Sequence, residues 1–290
     1  ILLPIIVGIL AIPFAIKGLG KDGFGILSIA WVVLGYFVLF DFGLSRAATK
    51  FVSEKLATKD FKSIPSLVWT AILVSFILGV LGAILLLIIS PYLVERLLKI
   101  PNDLISQAKI SFYMIAFSLP IIICSTTFRG VLGAAQRFDI INLIVIPTSS
   151  LTFIFPGLSY PFHLSLSTVI ALIIISRVVA AFSFFVFCLK EFPDLKSSPN
   201  INFNTLKKML SFGGWVSVTN IVSPLLVYLD RFFIGSLISV SSVAFYTAPY
   251  EVLVRLKIVP VSIMTTLFPE ISSSSANAKN DDLANLYARS

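Results

Sequence analysis

The residues best suited to chemistry are charges set inside long apolar runs. Arg177 lies near the middle of one run, and Arg255 and Lys257 lie near the middle of another. Glu251 is the one carboxylate at a comparable depth. A charge at the centre of a bilayer costs at least about 2.5–3.5 kcal/mol on insertion scales, so such residues face a hydrated cavity or a partner. The excess of positive charge predicts an anion-binding cavity, and the guanidinium fork suits phosphate or diphosphate.

A second pair of charges, Asp230 and Arg231, stands in the stretch YLDRFFIG. Neighbours on a helix point about 100° apart, so these two are not expected to pair with each other. For Arg231 both an ion pair with Glu251 and a place in the cavity stay open. Asp230 is expected to meet a partner in a part of the protein beyond this chain.

Three further charges lie toward the ends of apolar runs. Arg46 and Arg129 could bind an anion or could extend their charged groups to the lipid headgroups. Asp41 could act chemically or mark the end of its run. Hence Arg46 is kept as a cavity candidate and Asp41, with Asp230 and Glu251, as a candidate ion-pair or coupling carboxylate.

Other chemistry is not indicated. Two cysteines, Cys124 and Cys188, and the single His163 cannot supply the ligands of a zinc site. No Walker A motif is present, and no loop is long enough for a soluble catalytic domain. We therefore predict no catalytic residues, no metal, no cofactor and no enzyme. The net charge of +8 sits mostly in short loops rather than on a nucleic-acid-binding surface.

The elements that carry these residues are membrane helices. Of the 290 residues 57% are hydrophobic and 12% charged, with a mean hydropathy of +1.00, so the bilayer is the natural solvent. A span needs roughly 20 mostly apolar residues, and the runs lack the alternation of barrel strands. The sequence predicts an all-α membrane protein with about eight spans, at 1–16, 24–44, 66–90, 109–133, 140–160, 166–189, 212–237 and 241–268.

Loop charge predicts the orientation. The loops after the second, fourth and sixth spans hold 11 basic residues, and the opposite loops hold 5. By the positive-inside rule the first set is cytoplasmic. This predicts a multi-pass protein of the cytoplasmic membrane with a cytoplasmic N-terminus.

A faint internal repeat relates residues 19–33 to 238–252, with an offset of 219. Six spans intervene, so both copies have the same orientation, as in a parallel repeat of six-helix lobes. We expect one lobe at 1–190, a cytoplasmic linker at 191–211 and the start of a second lobe at 212–290. The chain then resembles a fragment of a longer protein.

Two motifs carry a family resemblance. The first is GLGKDGFGILSIAWVVLGYFVLFDFGLSRAATKFVSE at 18–54, and the second, at 212–273, includes LDRFFIG and LFPEIS. Both resemble the polysaccharide-biosynthesis flippases, the Wzx-type translocases of the multidrug/oligosaccharidyl-lipid/polysaccharide exporter superfamily. The resemblance covers essentially the whole chain, although that family has about twelve or more spans.

The resemblance implies a MATE-like fold and a function. Such proteins move a polyprenyl-diphosphate-linked oligosaccharide from the cytoplasmic to the outer leaflet by alternating access. It implies that cavity arginines meet the diphosphate; of the candidates only Arg46 and Arg231 lie in recognisable motifs. The expected partners are the lipid-linked oligosaccharide, membrane lipids, and polysaccharide polymerase and glycosyltransferases, without nucleic acid.

Three alternatives remain. A cation-coupled multidrug extruder of the same superfamily would favour carboxylates over the observed basic residues. A membrane-embedded glycosyl- or phosphotransferase would need a carboxylate cluster or a metal site near an interface. The third alternative is a non-transporting assembly partner of the polysaccharide machinery.

Overall fold

The computed structural model describes residues 2–38, 41–196, 209 and 229–256. Within these ranges every regular element is helical, which confirms the predicted all-α class. The chain divides into two compact units, Ile1–Ala248 and Pro249–Ser290. The α-helices are α1 (Leu2–Val38), α2 (Leu44–Ala57), α3 (Ile64–Tyr92), α4 (Asn102–Ala134), α5 (Phe138–Phe162), α6 (Leu166–Glu191) and α7 (Val240–Leu256).

The first helix is broken at Gly20, which has φ 71° and ψ 171°, a region that glycine enters without a side-chain clash. Ala11, before the break, packs against Gly157 of α5. Trp31, after it, has its ring centroid 5.3 Å from that of Phe153. On a straight helix residues 11 and 31 would be about 30 Å apart, yet their partners on α5 are close neighbours. Therefore α1 is two antiparallel crossings, as the sequence predicts.

The connections define two ends of this bundle. We call one the Gly20 end; it also holds the α3–α4 and α5–α6 connections, and there the Leu166 N–H donates to Gln107 Oε1 at 3.2 Å. We call the other the α2 end; there Arg137, between α4 and α5, pairs with Glu191 at the end of α6. Consecutive crossings thus alternate in direction, from the first half of α1 through α6.

The outer surface of the bundle is apolar. Ile88 of α3 and Phe117 of α4 are 71% and 72% exposed, which suits lipid rather than water. Among the described residues five helices are long and apolar enough to cross a bilayer, and α1 counts as one of them. With the break at Gly20 they provide six crossings. The chain is therefore a multi-pass membrane protein.

The predicted spans leave loops at 46–65 and at 91–109, before and after the third span, and both of these loop predictions are wrong. The basic stretch 46–65 is mostly the helix α2, whose residues Leu44, Ala48 and Val52 are fully buried and recur at helical spacing. The predicted loop at 91–109 shrinks to residues 98–101, because a π-helical turn, Leu93–Leu97, extends α3 and because α4 begins at Asn102. Hydropathy indicates where the apolar part of a span ends. The helix itself can continue into water, because its backbone hydrogen bonds and its buried face do not end there.

Helix α4 is the centre of the bundle, since it packs against α1, α2, α3, α5 and α6. Two apolar cores lie along it. One, toward the Gly20 end, includes Phe24, Phe112 and Val240. The other, toward the α2 end, includes Leu44, Phe128 and Phe184. The polar residues of interest lie beside the second core.

The last described part begins at residue 229 and is helical to 233, followed by the π-helical turn Ile234–Ile238 and then α7. It covers the end of the predicted seventh span and the first part of the eighth. The remainder of both spans lies outside the described residues.

Candidate functional site

A cavity of about 180 Å³ lies between α4, α5 and α6, in the half of the bundle toward the α2 end. Its wall contains two arginines and five hydroxyl side chains, and none of its lining residues is acidic. The lining residues are Ile122, Ser125, Thr126, Arg129, Ile144, Val145, Thr148, Ser149, Thr152, Arg177, Ala180 and Phe184.

Each of the three helices contributes one wall of the cavity, and the lining residues of a helix lie on the same face of it. On α4, Ser125 and Arg129 are four residues apart, and on α5, Thr148 and Thr152 have the same separation. Residues at this spacing share a face of an α-helix. Because Arg177 lies near the middle of α6, the cavity reaches from the α2 end toward the centre of the membrane-spanning bundle.

The two arginines are not neutralised by nearby carboxylates. Within the described ranges neither Arg129 nor Arg177 takes part in an ion pair. The Nε atom of Arg177 is buried and has no hydrogen-bond acceptor among the described residues. A buried unpaired donor on a charged group is costly, and an anion in the cavity would remove that cost.

Arg137, at the same end of the bundle, provides the contrast. Its Nη2 lies 3.1 Å from Asp139 Oδ2, and its Nη1 bonds to Glu191. The hydrogen bond to Asp139 is the main cause that raises the pKa of Arg137. Its charge is already matched, so Arg137 is not a candidate for anion binding.

The threonines present oxygen acceptors. Thr148 donates its hydroxyl proton to Ile144 O at 2.7 Å, and Thr152 donates to Thr148 O at 3.1 Å. A hydroxyl that donates to its own helix keeps its lone pairs available. Together with the arginines, the cavity therefore offers cationic donors for an anion and neutral acceptors for hydroxyl groups.

One carboxylate, Asp41, lies beside the cavity. Its Oδ1 accepts from the Gly43 N–H at 2.8 Å, and its Oδ2 is 3.5 Å from Thr126 Oγ1, which is at the limit of a hydrogen bond. Helix α2 follows directly and is fastened to α4, since Ser45 Oγ donates to Thr126 O at 2.8 Å. Asp41 is thus held against the α4 wall rather than free at a span end.

The other predicted cavity residues do not line the cavity with Arg177 in the described part of the chain. Arg46 is exposed on α2 and does not line the cavity. Arg231 is buried, with 1% of its surface exposed. Glu251 is half-buried on α7. The side chain of Arg255 and the whole of Lys257 lie outside the described residues, so their place in a cavity stays a prediction.

The expectation for Asp230 is corrected. Its partner was predicted to lie beyond this chain, but Asp230 Oδ2 accepts a hydrogen bond from the Tyr246 hydroxyl of α7. Its Oδ1 accepts from the Arg231 N–H at 2.7 Å. The two helical segments are joined by a tight turn, which returns α7 toward the segment that carries Asp230.

Arg129 was not among the predicted site residues. Its position near the end of α4 favours contact with headgroups as much as with a cavity, and depth alone does not separate the two. The sequence signal that points to Arg129 is Ser125, a hydroxyl residue four positions earlier and therefore on the same face of α4. Among the described residues no group of three or more histidine, cysteine, aspartate or glutamate residues could hold a metal ion.

Comparison with known proteins gives concordant matches. A family model described as "Polysaccharide biosynthesis protein" matches residues 2–275. Over 272 residues the chain is 32% identical to a Shigella flexneri protein named "Putative O-antigen transporter", a match that covers 93% of this chain and 64% of the relative. The chain therefore spans less than two thirds of that relative's length.

The fold also matches a solved structure, titled "Inward-facing conformation of a multidrug resistance MATE family transporter of the MOP superfamily". The TM-score is 0.71 at 17% sequence identity, and the match covers 92% of this chain and 63% of the other. At this identity the likeness shows the fold alone, and it confirms the expected MATE-like architecture.

Proposed function

Because the chain belongs to the polysaccharide biosynthesis protein family, we propose that it is part of a transporter for a lipid-diphosphate-linked oligosaccharide. The transporter moves the headgroup from the cytoplasmic to the outer leaflet by alternating access. It carries the headgroup through a central polar path while the lipid tail stays in the bilayer. The name of the Shigella flexneri relative supports this class of cargo.

The cavity between α4, α5 and α6 is the observation that carries the proposal. Arg129 and Arg177 supply two unneutralised cations, which suit a diphosphate. The threonine oxygens of α5 suit the hydroxyl groups of the first sugars. A lipid-linked saccharide has both features next to each other, with the diphosphate between the lipid and the sugar.

Two alternatives are less well supported. The fold match to a multidrug transporter allows a drug extruder, but a cationic drug would meet Arg129 and Arg177 with no carboxylate in the lining. A transferase would need an acid–base or metal site. The relative is named as a transporter, which favours transport over catalysis.

The remaining predicted residues receive proposed roles. Arg231, Arg255 and Lys257 extend the cationic path in the second lobe, and Arg46 attracts the headgroup at the entrance. Asp41, Asp230 and Glu251 are candidates for coupling to an ion or a proton. Asp41 is the best placed of these three, because it touches the cavity wall through Thr126.

The membrane orientation belongs to the same proposal. The α2 end faces the cytoplasm, since it carries the basic residues of α2 and of the α2–α3 connection. The N-terminus is then cytoplasmic and the membrane is the cytoplasmic one. One lobe comprises 1–190, a linker 191–211, and 212–290 begins the second lobe. Polymerase and glycosyltransferases are proposed partners.

The proposal is tested with the whole encoded protein in sealed vesicles. One arm loads a fluorescent diphosphate-linked oligosaccharide lipid in the inner leaflet and measures its appearance outside. The other arm measures efflux of a lipophilic cationic dye. Movement of the lipid-linked oligosaccharide without dye efflux is expected. Dye efflux without oligosaccharide movement would support the extruder instead.

A further inference from the structure

A second cavity, of about 210 Å³, lies between the second half of α1, the end of α3 and the start of the segment 229–238. Its lining residues are all aliphatic or aromatic, and it shares no residue and no helix with the polar cavity. We call it the apolar pocket. Its walls include Val33 and Phe37 of α1, Leu86 of α3, Leu93 of the π-helical turn that extends α3, and Leu229 and Phe232.

The apolar pocket has a closed floor and an open mouth. Val33 and Leu86 form the floor and are 4% and 2% exposed. Ile89 and Leu229 stand at the mouth and are 40% and 38% exposed. Ile88, the neighbour of Ile89, lies on the apolar outer surface of the bundle. The mouth therefore opens toward the hydrocarbon of the bilayer rather than toward water.

The pocket extends along α3. Its wall on that side runs from Leu86 to Leu93, which is about 10 Å of helix at the usual rise per residue. Leu93 begins the turn that leads into the α3–α4 connection, so the pocket lies in the half of the bundle toward the Gly20 end. A site of this length fits within one leaflet of a hydrocarbon core about 30 Å thick. Its long direction is that of the lipid chains beside it.

Neither water nor empty space suits the apolar pocket. A buried water needs polar partners, and an apolar cavity stays dry. An empty space deprives the lining atoms of dispersion contacts on one side. Apolar cavities of about 150 Å³ bind small apolar molecules, so this larger pocket has room for a stretch of hydrocarbon chain. The bilayer supplies such chains at the mouth.

We propose that the apolar pocket binds one hydrocarbon chain of a membrane phospholipid. Phospholipids are far more abundant in a membrane than a transported lipid-linked saccharide, so mass action favours their chains. The pocket shares no helix with the polar cavity, so a cargo whose headgroup lies in that cavity is not directed to place its tail here. The site goes beyond the proposed transport function and requires no particular cargo.

The bound chain would connect parts of the protein that are distant in sequence. Six of the eight lining residues belong to α1, to α3 and to the turn that extends α3, and the segment 229–232 supplies the other two. The site is complete only while that segment lies against α1 and α3. A ligand favours the arrangement that it binds better. A phospholipid chain in the pocket therefore stabilises this packing of the segment.

The test uses the whole encoded protein in vesicles of phosphatidylethanolamine and phosphatidylglycerol. A phosphatidylglycerol with a diazirine in the middle of one chain is included and activated by light, and peptide mass spectrometry locates its adducts. Adducts are expected on Val33 and Leu93, which are buried and accessible to a chain only inside the pocket. They are also expected on Ile88, which faces the surrounding lipid.

Filling the pocket should remove the first group of adducts and keep the second. Leu86→Phe places a larger side chain in the pocket, and the adducts on Val33 and Leu93 should be lost while that on Ile88 remains. Ile88→Phe is the matched control, because it adds a ring to the same helix on its lipid-facing side, and it should leave the pocket adducts unchanged. Val33→Phe fills the pocket from α1 and should remove the adduct on Leu93, so the test does not depend on one variant that folds.

Three results would overturn the site. The first is an unmodified protein without adducts on Val33 and Leu93, since no chain then enters. The second is an adduct on Leu93 that persists in both Leu86→Phe and Val33→Phe. The third comes from competition: if unlabelled polyprenyl diphosphate removes the pocket adducts at a concentration at which unlabelled phosphatidylglycerol does not, the occupant is the tail of the cargo. None of these measurements requires translocation, so a failure of the proposed transport function is recognised separately.

Discussion

Arg129 of α4 and Arg177 of α6 line the same cavity, although they lie at different depths along their helices. Arg129 is near the α2 end and exposed, whereas Arg177 is near the middle of α6 and half-buried. Two cations at different depths, with five hydroxyl side chains in the same lining, are the arrangement that the proposed function requires for an anion. The Nε atom of Arg177 is buried and has no acceptor among the described residues.

The α5 threonines should govern sugar recognition. We predict that Thr148→Val combined with Thr152→Val lowers affinity for the diphosphate-linked oligosaccharide by about two- to tenfold per lost hydrogen bond. Affinity for inorganic diphosphate should stay unchanged, because the arginines remain. Titration of both ligands into the purified protein measures this difference.

Ser183→Ala is the matched control, since Ser183 also donates to its own helix, to Val179 O at 2.9 Å, but lies outside the cavity lining. Equal losses for both ligands in the threonine variant would indicate a structural defect rather than sugar recognition.

Gly25 should be required for the close approach of α1 to α7. The Ser241 hydroxyl donates to Asp22 Oδ1 beside Gly25, so a disulfide between Asp22→Cys and Ser241→Cys reports this approach. We predict that Gly25→Ala lowers the yield of that disulfide and destabilises the protein by about 1–3 kcal/mol, as overpacking does. The physical reason is the 2.1 Å approach of the added Cβ to the carbonyl oxygen of Val240. Cross-link yield and thermal unfolding are the measurements.

Gly35→Ala lies on the same helix with nothing within 4 Å of the added Cβ, and it should change neither quantity unfavourably. A Gly25→Ala protein that cross-links as well as the Gly35→Ala protein would show that α1 and α7 lie less close at Gly25 than described.

The α2–α3 connection should respond to acid. Hydrogen bonds from Lys55 and Ser63 hold the pKa of Asp60 below its usual value. A carboxyl whose folded pKa is depressed stabilises the fold above its unfolded pKa, and this contribution is lost as the pH falls through the folded pKa. We expect faster hydrogen exchange in residues 58–63 below about pH 4, after correction for intrinsic rates.

Asp60→Asn should give the faster exchange already at neutral pH and remove its dependence on acid. Glu54→Gln is the comparison, because the Lys50–Glu54 pair is exposed and separated by 3.9 Å, and such pairs contribute little. Identical pH profiles for Asp60→Asn and the unmodified protein would contradict the assignment.

The sequence predicts the elements better than the site. Apolar runs locate the crossings, and the glycines of KGLGKDG locate the reversal in α1. Depth in the membrane singles out Arg177, which does line a cavity. Depth does not indicate which way a side chain points around its helix, and so Arg129 is missed.

Contacts between distant residues explain the other differences. The bond of Asp230 to Tyr246 depends on how tightly the chain turns at 234–239, which hydropathy does not determine. Helix α2 is amphipathic and basic, so a search for apolar spans assigns it to a loop. Its burial against α4 becomes visible only when both helices are placed.

The central claim is that Arg129 and Arg177 bind the diphosphate of the cargo. Its most direct measurement is the affinity of the whole encoded protein for the diphosphate-linked oligosaccharide, with Arg129→Ala and Arg177→Ala singly and together. Lys190→Ala is the matched control, an exposed cation on α6 outside the cavity lining. Each arginine variant should lose affinity by about 10- to 100-fold, the value of one charge-assisted contact, and Lys190→Ala should not. A double arginine variant that binds as tightly as Lys190→Ala would contradict the claim.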